Sequence, residues 1–277
     1  MKFTVLGSGS TGNAILITSE STKVLVDAGL SAREIIRRLA AVGVKIEDLD
    51  AVVITHEHSD HVGGLRVLLR SLKCPVYISR ETEDAYYATR AGGLDRDSEA
   101  WKRKEALKAR TVWIESSQTF TVGDIEFDPF SVPHDAVDNF GFVASRAGVR
   151  IATLMDFGCF TDLIRAKLEG CDAIVVESNH SRDMLRTCSV YTWDLKQRIA
   201  SRHGHLSNED LADFLTRDFD GSAAHIVLAH LSQRANEPHL ARLTAEIALK
   251  MRPPLFATNS TKISLSNPKE PTDWFAF

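Results

Sequence analysis

Three histidines and an aspartate, four candidate metal ligands, fall within six residues at His56-Glu57-His58-Ser59-Asp60-His61. The run follows Ala51-Val52-Val53-Ile54, a short apolar segment rich in β-branched residues that predicts a buried strand. It precedes Val62-Gly63-Gly64 and a leucine-rich stretch, Leu65 to Leu72, that predicts a helix. Placing three imidazoles and a carboxylate in the turn after a core strand demands a fold in which polar groups converge at strand ends. Imidazole nitrogen and carboxylate oxygen are good zinc ligands, and imidazole also suits iron and nickel. The bland alternative, a solvated turn that holds histidines by chance, does not account for four ligands at this spacing.

Elsewhere in the chain, strand-like runs end in polar outliers in the same way. Phe3 to Leu6 predicts a strand that enters the loop Gly7-Ser8-Gly9-Ser10-Thr11-Gly12-Asn13. This loop lacks the Lys-Ser/Thr ending of a P-loop and is followed by a strand, so it reads as a turn or as a nest of backbone N–H groups lining an anion site. Ala14 to Thr18 and Lys23 to Val26 predict a hairpin that ends at Asp27-Ala28-Gly29. Asp27 reads either as a cap for the helix expected from Ala32 to Val42 or as a buried, hydrogen-bonded carboxylate. Further strands end at His134, Asp156, Glu177 and His230. A helix expected from Glu209 to Leu215 takes its cap from Ser207 or Asn208. Strands of one sheet that end on one side bring such residues together. The set supplies His56, His58 and His134 for one ion and Asp60, His61 and His230 for another. Asp156 has an oxygen for each.

Composition narrows the function classes. The 277 residues are 44% hydrophobic and 25% charged with net charge −4, which suits a globular protein and gives no global basic field. No apolar run approaches the ~20 residues of a membrane helix, and the start of the chain enters a strand at once, so a cytoplasmic protein without membrane partners is expected. The four cysteines are widely spaced without a CxxC pair, and are read as reduced thiols with no metal role. The charged stretch Ala91 to Arg110, with Arg96, Trp101, Arg103, Lys104 and Lys108, reads as a solvated excursion or as a nucleic-acid surface. With no linker, repeat or composition break, one domain over residues 1–277 is expected.

The combination His56-x-His58-x-Asp60-His61, with His134, Asp156 and His230 at strand ends and Asp27-x-Gly29 upstream, resembles the metallo-β-lactamase superfamily. The resemblance implies an α/β fold, an αββα sandwich of two mixed sheets flanked by helices, with a binuclear centre of two divalent ions at one edge. Zinc or manganese is implied, with iron or nickel as further options. It also implies that Asp27 supports the histidine loop from behind without ligating. Ser8-Gly9-Ser10-Thr11-Gly12-Asn13, Glu177-Ser178-Asn179-His180, Gly204-His205-Leu206-Ser207-Asn208 and His230-Leu231-Ser232 are similar to the bacterial WalJ/YycJ-type branch, which implies exonuclease action on DNA. Part of the pattern resembles ribonuclease Z, where residues matching Glu177 and His205 cooperate near the scissile phosphate. The segment 135–141 departs from the branch in lacking a proline before Gly141.

These readings lead to a metal-dependent phosphodiesterase, single-strand or 5′→3′ on DNA, in which hydroxide shared by two ions attacks phosphorus. Asp60 serves both metal and catalysis, His205 protonates the leaving oxygen, and Glu177 orients it. Ser10 and Asn13 are candidate phosphate contacts and His180 reads either as a phosphate contact or as a support behind the metal ligands, while His205 also reads as a plain turn residue. The rivals are a hydrolase of thioesters, lactones or β-lactams on the same centre, and an iron redox protein or non-catalytic binding module.

Overall fold

In the computed structural model of the chain, residues 1–88, 107–252 and 261–277 are described. Most of the charged stretch, including Arg96, Trp101, Arg103 and Lys104, lies outside them. The described residues group into two compact units, one of 1–129, 136–139 and 267–276 and one of 130–135, 140–266 and 277.

The first unit is built on a seven-stranded mixed sheet of order β14-β1-β2-β3-β4-β5-β6. The antiparallel members are β1 (Lys2–Gly7), β2 (Ala14–Thr18) and β3 (Lys23–Val26), with β14 (Phe275–Ala276) beside β1. β4 (Ala51–Val53), β5 (Val76–Ile78) and β6 (Thr111–Trp113) then run parallel to β3 and to one another. The expected hairpin is therefore present with its predicted ends. Four parallel strands put their carboxyl ends on one sheet edge, and Asp27 and the histidine run both follow such ends.

Helix α1 (Ala32–Ala41) buries Ile35 and Leu39 against this sheet. The Ser31 hydroxyl caps it by accepting from the Glu34 N–H at 3.3 Å, and it ends before Gly43, whose φ of +80° suits glycine. Asp27 is thus not the cap. The segment expected to be helical from Leu65 to Leu72 is regular only over α3 (Leu65–Leu68), with turns beyond it. Before it, Ser59–Val62 forms a single helical turn, α2, where a plain turn was expected. Helix α4 (Arg80–Ala88) follows β5.

A second seven-stranded mixed sheet has the order β13-β12-β11-β10-β9-β8-β7. It comprises β7 (Phe120–Val122), β8 (Ile125–Ser131), β9 (Phe140–Arg146), β10 (Val149–Leu154), β11 (Ala173–Glu177), β12 (His225–Ala229) and β13 (Lys262–Leu265). β10 to β13 are mutually parallel, so Asp156, Glu177 and His230 follow strand ends on a shared edge. The second unit's helices are α5 (Asp162–Leu168), α6 (Arg182–Thr187), α7 (Trp193–Ile199), α8 (Asn208–Arg217) and α9 (Pro238–Lys250). Its core joins Phe130, Phe157, Leu206, Leu228 and Ala245 across sheet and helices. Two mixed sheets flanked by helices match the expected fold class.

Cys74 and Cys171 are buried, and desolvation raises each thiol to about 11, whereas Cys159 and Cys188 are partly exposed. A chromogenic disulfide reagent at neutral pH is expected to modify Cys159 and Cys188 in the native protein, and the buried pair only after unfolding. Fast reaction of Cys74 or Cys171 in the native state would contradict this packing.

Candidate metal centre

In the first unit the site grows outward from one buried carboxylate. Asp27 is completely buried, and its backbone has φ 62°, a left-handed conformation rare for a non-glycine residue. Its Oδ1 accepts from the Thr55 N–H at 2.9 Å, and its Oδ2 accepts from His61 Nδ1–H at 2.7 Å. The Thr55 hydroxyl lies 3.0 Å from both carboxylate oxygens and 3.0 Å from His56 Nδ1. A hydroxyl has one proton and two lone pairs, so it donates to Asp27 and accepts from His56 Nδ1–H. Both imidazoles are thereby anchored through Nδ1, which makes Nε2 the nitrogen that could ligate an ion.

The loops around this carboxylate are held by backbone contacts that only glycine permits. A Cβ on Gly29 would lie 1.6 Å from the Asp60 carbonyl oxygen, which is the physical reason for glycine in Asp27-x-Gly29. Ala28 N–H donates to His61 O at 2.8 Å, Gly64 N–H to Ala28 O at 2.8 Å, and Asn13 N–H to Asp60 O at 2.7 Å. The glycine-rich loop thus buttresses the metal loop. Asn13 Oδ1 accepts from Gly9 N–H and Ser8 Oγ–H, while its Nδ2 donates to His61 Nε2 at 2.9 Å. Ser10 is exposed and Asn13 buried. His56 and His58 sit with ring centroids 4.7 Å apart, and His56 and His61 4.1 Å apart.

In the second unit, Asp156 and His230 also adopt left-handed backbone conformations, at φ 55° and 52°. Strained dihedrals on non-glycine residues cost about 1–3 kcal/mol each and cluster at functional sites. Asp156, Glu177, His205 and His230 each offer a ligand atom, all within 4.8 Å of one another. His205 Nδ1 lies 2.7 Å from Glu177 Oε1, and His230 Nδ1 meets Asp156 directly. The other Glu177 oxygen accepts from the N–H groups of Phe157 at 3.0 Å and Leu206 at 3.3 Å. His134 anchors its Nδ1–H on the Gly204 carbonyl at 3.1 Å, with Nε2 4.0 Å from Asp156 Oδ2. A Cβ on Gly204 would meet the Arg198 carbonyl oxygen at 2.2 Å, so glycine lets α7 end tightly enough to present His205.

Charge follows from this packing. Burial by itself would raise the Glu177 carboxyl, but the charge and hydrogen bond of His205 outweigh it and hold the group at about 2. Burial would lower His205 and His230; Glu177 raises the first, and Asp156 with Glu177 raises the second well above the ordinary histidine range. Burial pushes His134 down and takes His180 to about 4. His180 is 2% exposed, and its Nδ1 makes no hydrogen bond among the described residues.

A buried amide network ties the second unit's loops together, and most of it was not assigned a role from sequence. Ser178 Oγ donates to Asn208 Oδ1 at 2.7 Å, and Asn208 Nδ2 donates to Asn236 Oδ1 at 2.9 Å. Asn236 Nδ2 returns to the Ser178 and Asn179 carbonyls at 2.9 Å, and Asn179 Nδ2 donates to His230 O at 2.9 Å. Asn208 is therefore committed to the network, and Ser207 is the cap of α8, accepting from Asp210 N–H at 3.0 Å. Thr55 and Asn236 had no separate sequence signal beyond the polar clusters around them.

The donor set of nitrogen and carboxylate oxygen, with imidazoles anchored through Nδ1, fits divalent ions. Comparison with known proteins agrees. Residues 22–230 match the family described as the β-lactamase superfamily domain. The chain is 37% identical to the exodeoxyribonuclease WalJ of Streptococcus pneumoniae serotype 2 (strain D39), covering 88% of this chain and 86% of that protein. It is 34% identical to the exodeoxyribonuclease YycJ of Bacillus anthracis, covering 98% and 97%. Among solved structures, the metallo-β-lactamase fold protein YhfI of Bacillus subtilis aligns with a TM-score of 0.69 at 17% identity, over 98% of this chain and 99% of that one.

Two outcomes follow from the geometry. Asp27→Ala is expected to weaken divalent-metal affinity roughly 10- to 100-fold by freeing the His61 ring; competition against a fluorescent chelator measures this, and unchanged affinity would contradict it. Asp156 and Glu177 raise His230 well above the ordinary histidine range, so an ion held by His230 must displace its proton. Affinity should therefore rise with pH and fall on acidification, with about one proton released per ion, read by calorimetry in buffers of different ionisation enthalpy. Binding without proton release would contradict it.

Proposed function

The chain belongs to the β-lactamase superfamily, in the branch of the WalJ and YycJ proteins, and from that premise we propose that it is a metal-dependent exodeoxyribonuclease acting on single-stranded or 5′-ended DNA. The observation that carries the reading is the His205–Glu177 pair at 2.7 Å, an imidazole held by a buried carboxylate within a group of side chains that could hold a metal. A departing nucleotide alkoxide needs a proton, which this pair is placed to supply, whereas the thiolate released from a thioester leaves without one.

His56, His58 and His134 would hold one divalent ion and Asp60, His61 and His230 a second, with Asp156 contributing an oxygen to each. Zinc and manganese are the ions best suited to this donor set, with iron and nickel as alternatives. When bound, the ions supply an activated water and positive charge for the developing phosphate charge. His205 holds the proton destined for the leaving oxygen. Glu177, fixed at its second oxygen by two backbone N–H groups, sets the orientation of the ring and raises its basicity. His180, kept neutral at pH 7 by burial, presents an imidazole toward phosphate, and the exposed Ser10 hydroxyl offers a further contact.

The test is cleavage of 5′- and 3′-labelled single-stranded and duplex DNA with a defined metal. Wild-type protein should degrade DNA only with metal, and His205→Ala should lower kcat roughly 10²- to 10⁴-fold while retaining metal. The double substitution Asp60→Ala, His61→Ala should abolish cleavage. Retained activity in the double variant, or thioester turnover exceeding phosphodiester turnover in the wild type, would sink the reading.

A further inference from the structure

One exposed aromatic in the first unit is built in a way that core packing does not explain. Trp113 closes β6, the edge strand of its sheet, and its side chain is 56% exposed. The indole is clamped on its polar side. Its Nε1–H donates to Glu83 Oε2 at 2.8 Å, and Glu83 is itself only 4% exposed. The other Glu83 oxygen accepts from Thr111 Oγ1–H at 3.1 Å and Tyr87 O–H at 3.2 Å. Thr111 and Trp113 lie two residues apart on one sheet face, and Glu83 and Tyr87 four apart on one helix face, so the clamp follows from register. The Arg80 guanidinium, one turn before Glu83 on α4, stacks on the ring at 4.1 Å from its centroid. Arg80 is exposed.

The platform also sits at a telling place in the sheet. β4, β5 and β6 are parallel, with Val53 paired to Tyr77 and Ile78 paired to Trp113. Trp113 therefore closes β6 at the same sheet edge from which the His56–His61 run leaves β4. Two strand spacings separate them, about 10 Å, or about three stacked nucleotides. A rigid, half-exposed indole backed by a guanidinium is the surface on which nucleobases stack, irrespective of sequence. The neighbouring acids Glu81 and Glu115 disfavour phosphate here, which favours a base face as the occupant.

We propose that Trp113, clamped by Glu83 and backed by Arg80, is a stacking subsite for an unpaired nucleobase of the single-stranded DNA substrate. The proposal rests on the nuclease reading above and assigns where that substrate is gripped. It follows that binding at this subsite depends on a base but not on its identity.

The test measures steady-state cleavage of single-stranded oligonucleotides carrying either normal bases or abasic sites at successive positions near the cleaved end, for wild type, Trp113→Ala, Trp113→Phe and Arg80→Ala, beside a small chromogenic phosphodiester. One abasic position should raise the wild-type KM roughly 5- to 100-fold. Trp113→Ala should raise KM on normal DNA by a similar factor with kcat retained, and should lose the abasic discrimination. Trp113→Phe should restore most of the binding, and Arg80→Ala should give a smaller rise. Turnover of the small phosphodiester should be unchanged in all variants. Unchanged KM for DNA in Trp113→Ala, or equal loss on DNA and the small phosphodiester, overturns the subsite. Because the abasic series uses the wild-type protein, absence of base dependence at every position overturns it even if Trp113→Ala folds poorly. Failure of the wild-type protein to cut any DNA instead overturns the nuclease reading, and the proposal with it.

Discussion

The Asp27 carboxylate, sealed from solvent, decides which way two imidazoles face. It takes Nδ1–H of His61 at 2.7 Å and the N–H and O–H of Thr55, and the Thr55 oxygen then takes Nδ1–H of His56. A buried carboxylate is costly unless its oxygens are satisfied, and here the groups that satisfy it are the ones that fix the metal-binding face. Stability and function thus draw on the same contacts. The glycines follow from this: Gly29 must lack a side chain so that the Asp60 carbonyl can pack against it and close the loop on the carboxylate.

The second unit repeats the logic with different residues. Glu177 spends one oxygen on two backbone N–H groups and the other on His205, so the ring's orientation is set by the end of β11 and the turn before α8. The asparagine network through Asn208, Asn179 and Asn236 holds that turn and the His230 loop in place. Asp27, Asp156 and His230 all adopt left-handed backbone conformations directly after parallel strands. The chain must turn sharply there to aim a side chain along the sheet edge, and the surrounding hydrogen bonds maintain the strain.

Much of this was legible in the residues. Apolar runs with abrupt polar endings located β3, β4, β10, β11 and β12, and the residues at those endings are the ones proposed for the site. The hairpin at Ala14–Thr18 and Lys23–Val26 was readable from its two short apolar runs. The family resemblance supplied the supporting role of Asp27, between cap and buried carboxylate, which alternation alone left open. What stayed hidden depends on long-range packing. The turn at Ser59–Val62 is too short for periodicity to reveal, and the helix after it stops at Leu68 although Leu69 and Leu72 beyond its end are buried in the same core. Asn236 carries no local signal, since its partners lie 28 and 58 residues away. The clamp on Trp113 depends on β6 lying beside α4, which no window of sequence contains.

The account stands on buried carboxylates selecting the imidazole nitrogen that faces the metal. Long-range ¹H–¹⁵N spectra of histidine-labelled protein at neutral pH test this most directly. The prediction is that His61 is the Nδ1–H tautomer, with a strongly hydrogen-bonded Nδ1 proton that disappears in Asp27→Asn, and an unprotonated Nε2. A His61 signal of the Nε2–H tautomer, or an Nδ1 proton indifferent to substitution of Asp27, would contradict the account at its base.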